Sequence, residues 1–310
     1  MQVGSAFFEK SYRMFLYHIK EIKYWTNNLY YGIIFTKGDD NMKIEINDLT
    51  VDYAEKNKRF TALKNVSFGI NEGEFVSIVG SSGCGKSTLL SVLEGIYKAA
   101  SGTVNIDGKP VEGTGTDRGV VFQHYSLFPW MNTRSNIAFG IRQVRKDLSK
   151  KERLALADEY LKKVGLEGYG NKYPSQLSGG MQQRAAIARA LAMDTDILLM
   201  DEPFSAVDPK NRTELQELLL HLWEGEEKNG KKKTVVFVTH DIDEAILLSD
   251  RIVVMAHHPG TVADILKVPF ERSHRRAAMR EDRAYTKFRD SIMSIFWGNV
   301  YNGIGEEVVI

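Results

Sequence analysis

Residues 75–93 read FVSIVGSSGCGKSTLLSVL, with an apolar run, three glycines within six residues and then leucines at helical spacing. A short apolar run bounded by turn residues predicts a buried strand, and apolar positions about one helical turn apart predict an amphipathic helix. The segment therefore predicts a strand, a tight turn and a helix in that order. Such a unit is the building block of an α/β fold.

Short apolar runs recur along the chain and predict further buried strands. They occupy residues 120–122, 197–200, 235–238 and 252–255, while 42–49 and 66–70 precede the first unit. Residues 42–49 alternate apolar and polar side chains, which is typical of an edge or half-buried strand. Because helical patterns separate the later runs, we expect an α/β fold with a mainly parallel sheet and an antiparallel β edge.

A helical subdomain is predicted over about 126–180, because residues 126–173 lack buried-strand runs. Residues 149–152, SKKE, form a capping-box pattern that begins a helix. The apolar side chains that follow fall on one face of this helix, at Leu154, Ala157, Leu161 and Val164. Gly165 is a plausible end of the helix.

Composition excludes several classes of protein. The chain has 310 residues, a formal net charge of +1 and one cysteine, Cys84. The charge balance argues against a generally basic nucleic-acid binder. A single cysteine excludes an internal disulfide framework and a cysteine-rich zinc site. The sequence lacks a run of about 20 apolar residues, so we expect no membrane-spanning helix.

Residues 80–88 match the phosphate-loop pattern G-x-x-x-x-G-K-[ST]. Glycines let successive backbone N–H groups face an anion, and the helix that follows adds its N-terminal partial positive charge. Lys86 can reach the β- and γ-phosphates, and the Ser87 hydroxyl can bind Mg²⁺. The expected nucleotide contacts are Gly80, Ser81, Ser82, Gly83, Cys84, Gly85, Lys86, Ser87 and Thr88. A plain glycine-rich turn is the alternative.

Two acidic residues, Asp201 and Glu202, follow the apolar run 197–200. A strand end beside a phosphate loop can place one acid on Mg²⁺, which we assign to Asp201. Glu202 is then placed to polarise an attacking water. The alternative is a strand end with two solvated acids.

A second helix start with close backbone access lies at Ser178, Gly179 and Gly180. Ser178 is a good N-cap, and the glycines leave room for an anion at the helix N-terminus. An ordinary capped helix is the alternative. If this site lies on the far side of the helical subdomain, a second chain must bring it to the phosphate loop.

From about residue 42 to about 265 the sequence resembles the ATP-binding cassette (ABC) ATPases. The string LSGGMQQR at 177–184, which includes Gln182, matches the family signature between the phosphate loop and the two acids. Four further positions match family motifs in order: Gln123 the lid glutamine that senses Mg²⁺ and the γ-phosphate, Asp208 the interface loop, His240 the switch histidine and Tyr53 the aromatic that stacks on adenine. Phe60 is a second candidate for the adenine contact.

The resemblance implies ATP and Mg²⁺ as cofactors and a head-to-tail dimer, expected to be a homodimer, that encloses two ATP molecules. Each ATP lies between the phosphate loop of one chain and the signature segment of the other. Glu202 is the expected base, and Lys86 and Mg²⁺ are the expected charge stabilisers. His240 orients the reacting groups, and Gln123 and Asp201 join Ser87 around the metal.

The string LFPW at 127–130 and the run from Arg251 to Gly260 resemble the nitrate, sulfonate and taurine importer group. That resemblance implies a peripheral subunit on the cytoplasmic face of the cell membrane. Its partners are permease subunits that dock near Gln123–Met131 and, indirectly, an extracytoplasmic solute-binding protein. The alternatives are an exporter or lipoprotein-extraction ATPase and a soluble ABC protein without a transport role.

The expected domain division is 1–41, 42–267 and 268–310. Ten of the first 41 residues are aromatic, and this leader matches nothing in the family. It is interpreted either as an amphipathic membrane-surface helix or as a translated leader before a true start at Met42. The last segment predicts a short helical extension with a basic cluster at Arg272, Arg275, Arg276, Arg280 and Arg283, either a solvated face or a contact with permease or anionic headgroups.

Overall fold

The computed structural model describes residues 41–55, 58–123, 126–225, 232–257 and 259–305. Apart from Asn41, the aromatic leader lies outside the described residues. His124 and Tyr125 of the expected docking segment also lie outside them.

Strands and helices alternate along most of the described chain. Within it the strands are β1 Met42–Glu55, β2 Lys58–Asn71, β3 Phe75–Gly80, β4 Ser101–Ile106, β5 Lys109–Pro110, β6 Arg118–Val121, β7 Ile197–Asp201, β8 Thr234–Thr239, β9 Arg251–Ala256 and β10 Thr261–Lys267. The α-helices are α1 Lys86–Leu93, α2 Thr133–Val144, α3 Lys150–Lys163, α4 Gly179–Ala192, α5 Pro209–Gly225, α6 Ile242–Leu248, α7 Arg275–Glu281 and α8 Arg283–Gly305.

The larger sheet has the strand order β10-β9-β3-β8-β7-β6. Its five strands from β9 to β6 are parallel, and β10 pairs with β9 in the antiparallel sense. Every residue of β3 and β8 is buried, which explains their continuous apolar sequences. The predicted parallel sheet is confirmed.

The smaller sheet is antiparallel, with the order β2-β1-β4-β5. Ile44, Ile46 and Leu49 of β1 are fully buried, as the alternating pattern predicts. Of the two alternatives for this segment, the half-buried strand is confirmed, because β1 lies between β2 and β4 and buries one face. Its apolar face packs in one hydrophobic cluster with helix α1 and strand β3, so this sheet supports the segment that carries the phosphate loop.

Helices α2 and α3 form the expected helical region between β6 and β7. The Ser149 hydroxyl accepts from Glu152 N at 3.3 Å, and the Glu152 carboxylate accepts from Ser149 N at 2.7 Å, so the capping box is confirmed. Gly165 follows the helix at φ +70°, a conformation that favours glycine. Apolar side chains of α2, α3 and α4 share one cluster with the larger sheet.

The C-terminal arginines do not form one solvated face. Arg275 is 4% exposed and donates to Ser249 O at 2.7 Å and Leu247 O at 3.3 Å, at the end of α6. Arg272 pairs with Asp250 at 2.7 Å and lies over the Trp223 ring at 4.3 Å. The interpretation of the cluster as a solvated face is therefore wrong for Arg272 and Arg275, whereas Arg280 and Arg283 are exposed. None of the described helices is both long enough and apolar enough to cross a bilayer.

Candidate active site

The predicted catalytic residues lie at the carboxyl ends of neighbouring parallel strands. Gly80 ends β3, Asp201 ends β7, and Gln123 and His240 follow β6 and β8. Parallel strands present these ends at the same edge of the sheet, where α/β proteins bind their ligands. The topology therefore brings together residues that are far apart in sequence.

The phosphate loop curves around the Lys86 side chain. The Lys86 ammonium group donates to Gly80 O at 2.8 Å and to Ser81 O at 2.9 Å, and the residue is 6% exposed. Two backbone carbonyls thus hold the buried cation in place at the start of α1. The lysine occupies the position that the sequence pattern predicts for contact with phosphates.

Two glycines of the loop are required by space and by backbone conformation. A Cβ at Gly80 would lie 2.5 Å from Cys84 Sγ and 3.0 Å from Met255 O. Gly85 has φ +93°, and a Cβ there would lie 2.4 Å from Leu63 Cδ2. Cys84 itself is fully buried, and burial raises the pKa of its thiol. It packs as a small apolar residue beneath the loop.

Ser87 and Asp201 meet beside the phosphate loop. The Ser87 hydroxyl donates to Asp201 Oδ1 at 3.3 Å. Burial raises the pKa of the Asp201 carboxyl. A hydroxyl and a carboxylate that converge in this way provide oxygen donors of the kind that Mg²⁺ prefers.

Glu202 lies at the centre of a second group of contacts. Its Oε2 accepts from Gln123 Nε2 at 3.2 Å and lies 3.3 Å from His240 Nδ1. Glu202 has φ +40°, which is uncommon for a residue with a side chain. Bonds from Glu202 N to Val238 O and from Ser205 N to Glu202 O hold this turn. Backbone strain of this kind is often found at functional sites.

Tyr53, the first of the two predicted adenine contacts, contacts helix α1, which follows the phosphate loop. Its hydroxyl lies 3.1 Å from Thr88 Oγ1, and its ring lies 4.7 Å from the Tyr97 ring. Phe60, opposite Tyr53 in the β1–β2 register, is 54% exposed. Phe60 lines an open cavity of about 600 Å³ together with Asp52 and Lys64.

The signature residues form a separate group at the start of α4. The Ser178 hydroxyl caps the helix by accepting from Met181 N at 3.4 Å, and Gln182 Nε2 donates to Leu177 O at 3.2 Å. Gly180 lies against Asn211, which donates to Asp208 at 2.6 Å and 3.2 Å. These bonds lower the pKa of Asp208. Asn211, in the first turn of α5, therefore lies between the signature segment and Asp208.

Two buried acids near the site were missed by the sequence reasoning. Glu94, 7% exposed, follows α1, and burial, with the Asp201 charge next in size, raises its pKa to about 7. Glu244, 6% exposed, lies in the first turn of α6, four residues after His240. Its signal was available, because Asp241 and Glu244 have the spacing of a helix N-cap and its N3 acid. Glu94 has no such local signal.

A phosphate loop on a buried strand, with an acid-ended strand beside it, defines a P-loop nucleoside triphosphatase. The sequence profile of the family described as ABC transporter matches residues 63–205. An uncharacterized ABC transporter ATP-binding protein of Methanocaldococcus jannaschii is 44% identical over 263 residues, covering 85% of this chain and 94% of that protein. The nitrate import ATP-binding protein NrtD of Synechococcus elongatus is 44% identical over 239 residues, covering 77% and 85%.

A solved structure of an ATP-binding cassette, a dimer in a post-hydrolysis state bound to ADP and Pi, superposes with a TM-score of 0.65 at 38% identity. The match covers 74% of this chain and 100% of that one. The chain belongs to the ABC transporter family as an ATP-binding subunit, and it is an ATPase.

Proposed function

We propose that this chain is the energy-coupling subunit of an ABC importer and that it hydrolyses ATP at the phosphate loop with Glu202 as the base. The observation that carries the proposal is the position of the Glu202 carboxylate within 3.3 Å of both Gln123 and His240. A base held by two polar side chains can orient a water for attack on the γ-phosphate.

The remaining roles are proposed from the sequence motifs, and the positions of these residues at one edge of the sheet support them. Lys86 neutralises charge on the β- and γ-phosphates, and the N–H groups of Gly80–Thr88 hold the phosphates. His240 orients the attacking water and the γ-phosphate, and Gln123 links the site to the helical region. Tyr53 stacks on adenine, beside Thr88.

Ser87, Asp201 and Gln123 are the residues that would hold Mg²⁺. The approach of the Ser87 hydroxyl to the Asp201 carboxylate at 3.3 Å fits an oxygen-binding hard cation. When bound, Mg²⁺ supplies charge neutralisation at the transferring phosphoryl group. The described contacts place Gln123 on Glu202, so its assignment to the metal remains a proposal.

The complete site is proposed to need two chains, expected to be identical. Within one chain Ser178 caps α4, Gln182 donates to Leu177 O, and Gly180 lies against Asn211 of α5. Together with Gly179 they form the signature segment. In a head-to-tail dimer they would face the γ-phosphate held by the partner, with Asp208 at the interface. The dimeric cassette that this chain resembles at 38% identity supports the arrangement.

The permease is proposed to dock on the aromatic segment 126–131. Trp130 is 68% exposed, and Phe128 packs between Trp130 and Phe139 with ring-centroid distances of 5.4 Å and 4.8 Å. The Asn136 side chain accepts from Phe128 N and donates to Phe128 O and Met131 O. An exposed aromatic on a fixed backbone can anchor a partner helix.

We infer a domain division at 42–267 and 268–310, and a peripheral position on the cytoplasmic face of a membrane. Import of nitrate, sulfonate, taurine or a related small solute is supported by the likeness to a nitrate import ATP-binding protein. Substrate choice would lie in the permease and the binding protein.

Transport in vesicles tests this proposal. The complex is purified through a tag on this chain and reconstituted in proteoliposomes with its binding protein outside. Radiolabelled nitrate, taurine and an alkyl sulfonate are supplied on either side. ATP-dependent accumulation from the binding-protein side is expected. Movement in the opposite direction, or co-purification without any membrane protein, would contradict the importer assignment.

A further inference from the structure

His240 lies between Thr239, whose hydroxyl binds a buried acid, and Asp241, whose backbone N–H binds that hydroxyl. Thr239 is 2% exposed and Glu244 is 6% exposed. The Thr239 hydroxyl donates to Glu244 Oε2 at 2.7 Å and accepts from Asp241 N at 3.0 Å. The Thr239 hydroxyl therefore links the Glu244 carboxylate to the backbone N–H of Asp241, the residue after His240. In a capping box the acid would accept from this N–H directly, whereas here the hydroxyl lies between them.

The same carboxylate is held from the neighbouring helix. Gln216 Nε2 on α5 donates to Glu244 Oε1 at 3.1 Å, and Arg212 Nε lies 3.8 Å from that oxygen. Arg212 also lies 3.7 Å from Asp241 and donates to Val207 O at 3.4 Å. The network thus connects the loop before α5 with the turn that carries His240.

A buried carboxylate is costly unless donors surround it, and burial does raise the pKa of Glu244. Here both oxygens face donors, so the direction of each bond is fixed. A carboxylate only accepts, so the Thr239 hydroxyl donates to Glu244 while it accepts from Asp241 N. Each bond thereby restricts the backbone on one side of His240, whose own side chain is 61% exposed.

We propose that Glu244 is a positioning residue for ATP hydrolysis: through Thr239 it sets the turn that holds His240 against Glu202, and through Gln216 and Arg212 it ties that turn to α5. This inference rests on the role proposed above for His240. Glu244 acts through the backbone of the turn and touches no reacting atom.

The test compares Glu244→Gln with the wild-type full chain in steady-state hydrolysis of radiolabelled ATP over a range of ATP concentrations. One amide orientation turns the new NH₂ group toward the Gln216 donor, and the other reverses the direction of the Thr239 bond; both remove the carboxylate charge. We expect kcat to fall about ten- to hundredfold, as displacement of a catalytic group by about 1 Å can cause. KM for ATP should stay within about twofold, since the phosphate loop is untouched.

Glu74→Gln is the matched control, because the Glu74 side chain is 12% exposed and pairs with Arg251 at the far end of β3 and β9. It should lose stability while keeping the wild-type kcat. Thr239→Val, which lacks the hydroxyl, should reproduce the kcat loss. Thr239→Ser, which keeps it, should retain the wild-type kcat. A purely structural role would not predict this dependence of kcat on the hydroxyl.

A double-variant cycle separates this inference from the proposed function. In a His240→Ala background, Glu244→Gln should change the rate by less than about twofold, because both act through one group. If the double variant loses the product of the two single-variant losses in rate, or if Glu244→Gln alone keeps the wild-type kcat, the role of Glu244 is overturned. Either result would leave the role of His240 intact. A wild-type kcat for His240→Ala would instead contradict the proposed function.

Discussion

At the scale of single residues, the site combines acids whose environments differ. Glu202 is held by polar neighbours at the sheet edge, whereas Glu94 is buried close to the Asp201 charge. Arg118 is the cation that opposes this effect on Glu94. The two acids therefore differ: Glu202 is held by polar side chains, whereas the raised pKa of Glu94 means that this acid resists ionisation.

The raised pKa of Glu94 predicts that the free energy of unfolding depends on pH. Because the folded state raises the pKa of Glu94 from 4.5 to about 7, the folded chain binds this proton more tightly than the unfolded chain. Its contribution is present below about pH 4.5 and is lost as pH rises through about 7. Glu94→Gln changes the free energy of unfolding of the nucleotide-free chain, and this change should be more favourable at pH 8 than at pH 5 by about 1–3 kcal/mol.

Urea denaturation of both chains at pH 5 and pH 8 measures this difference. An equal effect of Glu94→Gln at the two pH values would show that Glu94 titrates as an exposed acid.

At the scale of elements, sequence patterns within a few residues predicted the buried strands and the helix cap. The apolar runs of β3, β7, β8 and β9 and the capping box at Ser149 all lie where the sequence placed them. The sequence did not reveal the pair β4 and β5, because these strands are short and three of the six β4 residues are exposed. Without a buried apolar run, such strands resemble loops.

Tertiary contacts decided what the sequence could not. The charge pattern of the C-terminal arginines is typical of a solvated helix, yet Arg275 is buried because α6 ends with free carbonyls beside it. Glu244 is likewise buried by α5, a helix that starts more than 30 residues earlier. Among the site residues, the phosphate loop and the two acids were predictable, and the network behind His240 was not.

The N-terminus of α4 gives a prediction in which stability and activity move in opposite directions. A Cβ at Gly180 would meet Asn211 at an ordinary 3.5 Å, and alanine favours a helix by about 0.5–1 kcal/mol over glycine. Gly180→Ala should therefore raise Tm slightly. It should lower ATPase activity more than about tenfold by crowding the partner's γ-phosphate.

Thermal unfolding and phosphate release are measured on the same preparation. Gly113→Ala, where a Cβ would meet nothing within 4 Å, is the control and should keep full activity. Full activity of Gly180→Ala would argue against a phosphate contact at this helix.

At the scale of the whole molecule, the aromatic segment 126–131 predicts that binding of the membrane partner can be lost while ATP hydrolysis is kept. Trp130→Ser should weaken co-purification of the membrane partner about tenfold or more, as expected when an interface anchor is lost. Hydrolysis by the isolated chain should stay within about twofold, because Trp130 contacts Phe128 and not the phosphate loop. Tyr169→Ser, at an aromatic that is 42% exposed, is the matched control.

Pull-down from membranes, with ATPase activity measured beside it, gives both readouts for Trp130→Ser. Undiminished recovery of the membrane partner would place the docking surface elsewhere on the chain.

Glu202 is proposed to act as the base in hydrolysis of ATP enclosed between two copies of the chain. The most direct measurement is the mass of Glu202→Gln in solution with ATP, with ADP and without nucleotide. The amide cannot take a proton from water, so ATP should persist and hold a dimer, while ADP should leave a monomer. Phosphate release should fall at least about a hundredfold. A monomer with ATP bound, or turnover at the wild-type rate, would contradict the account.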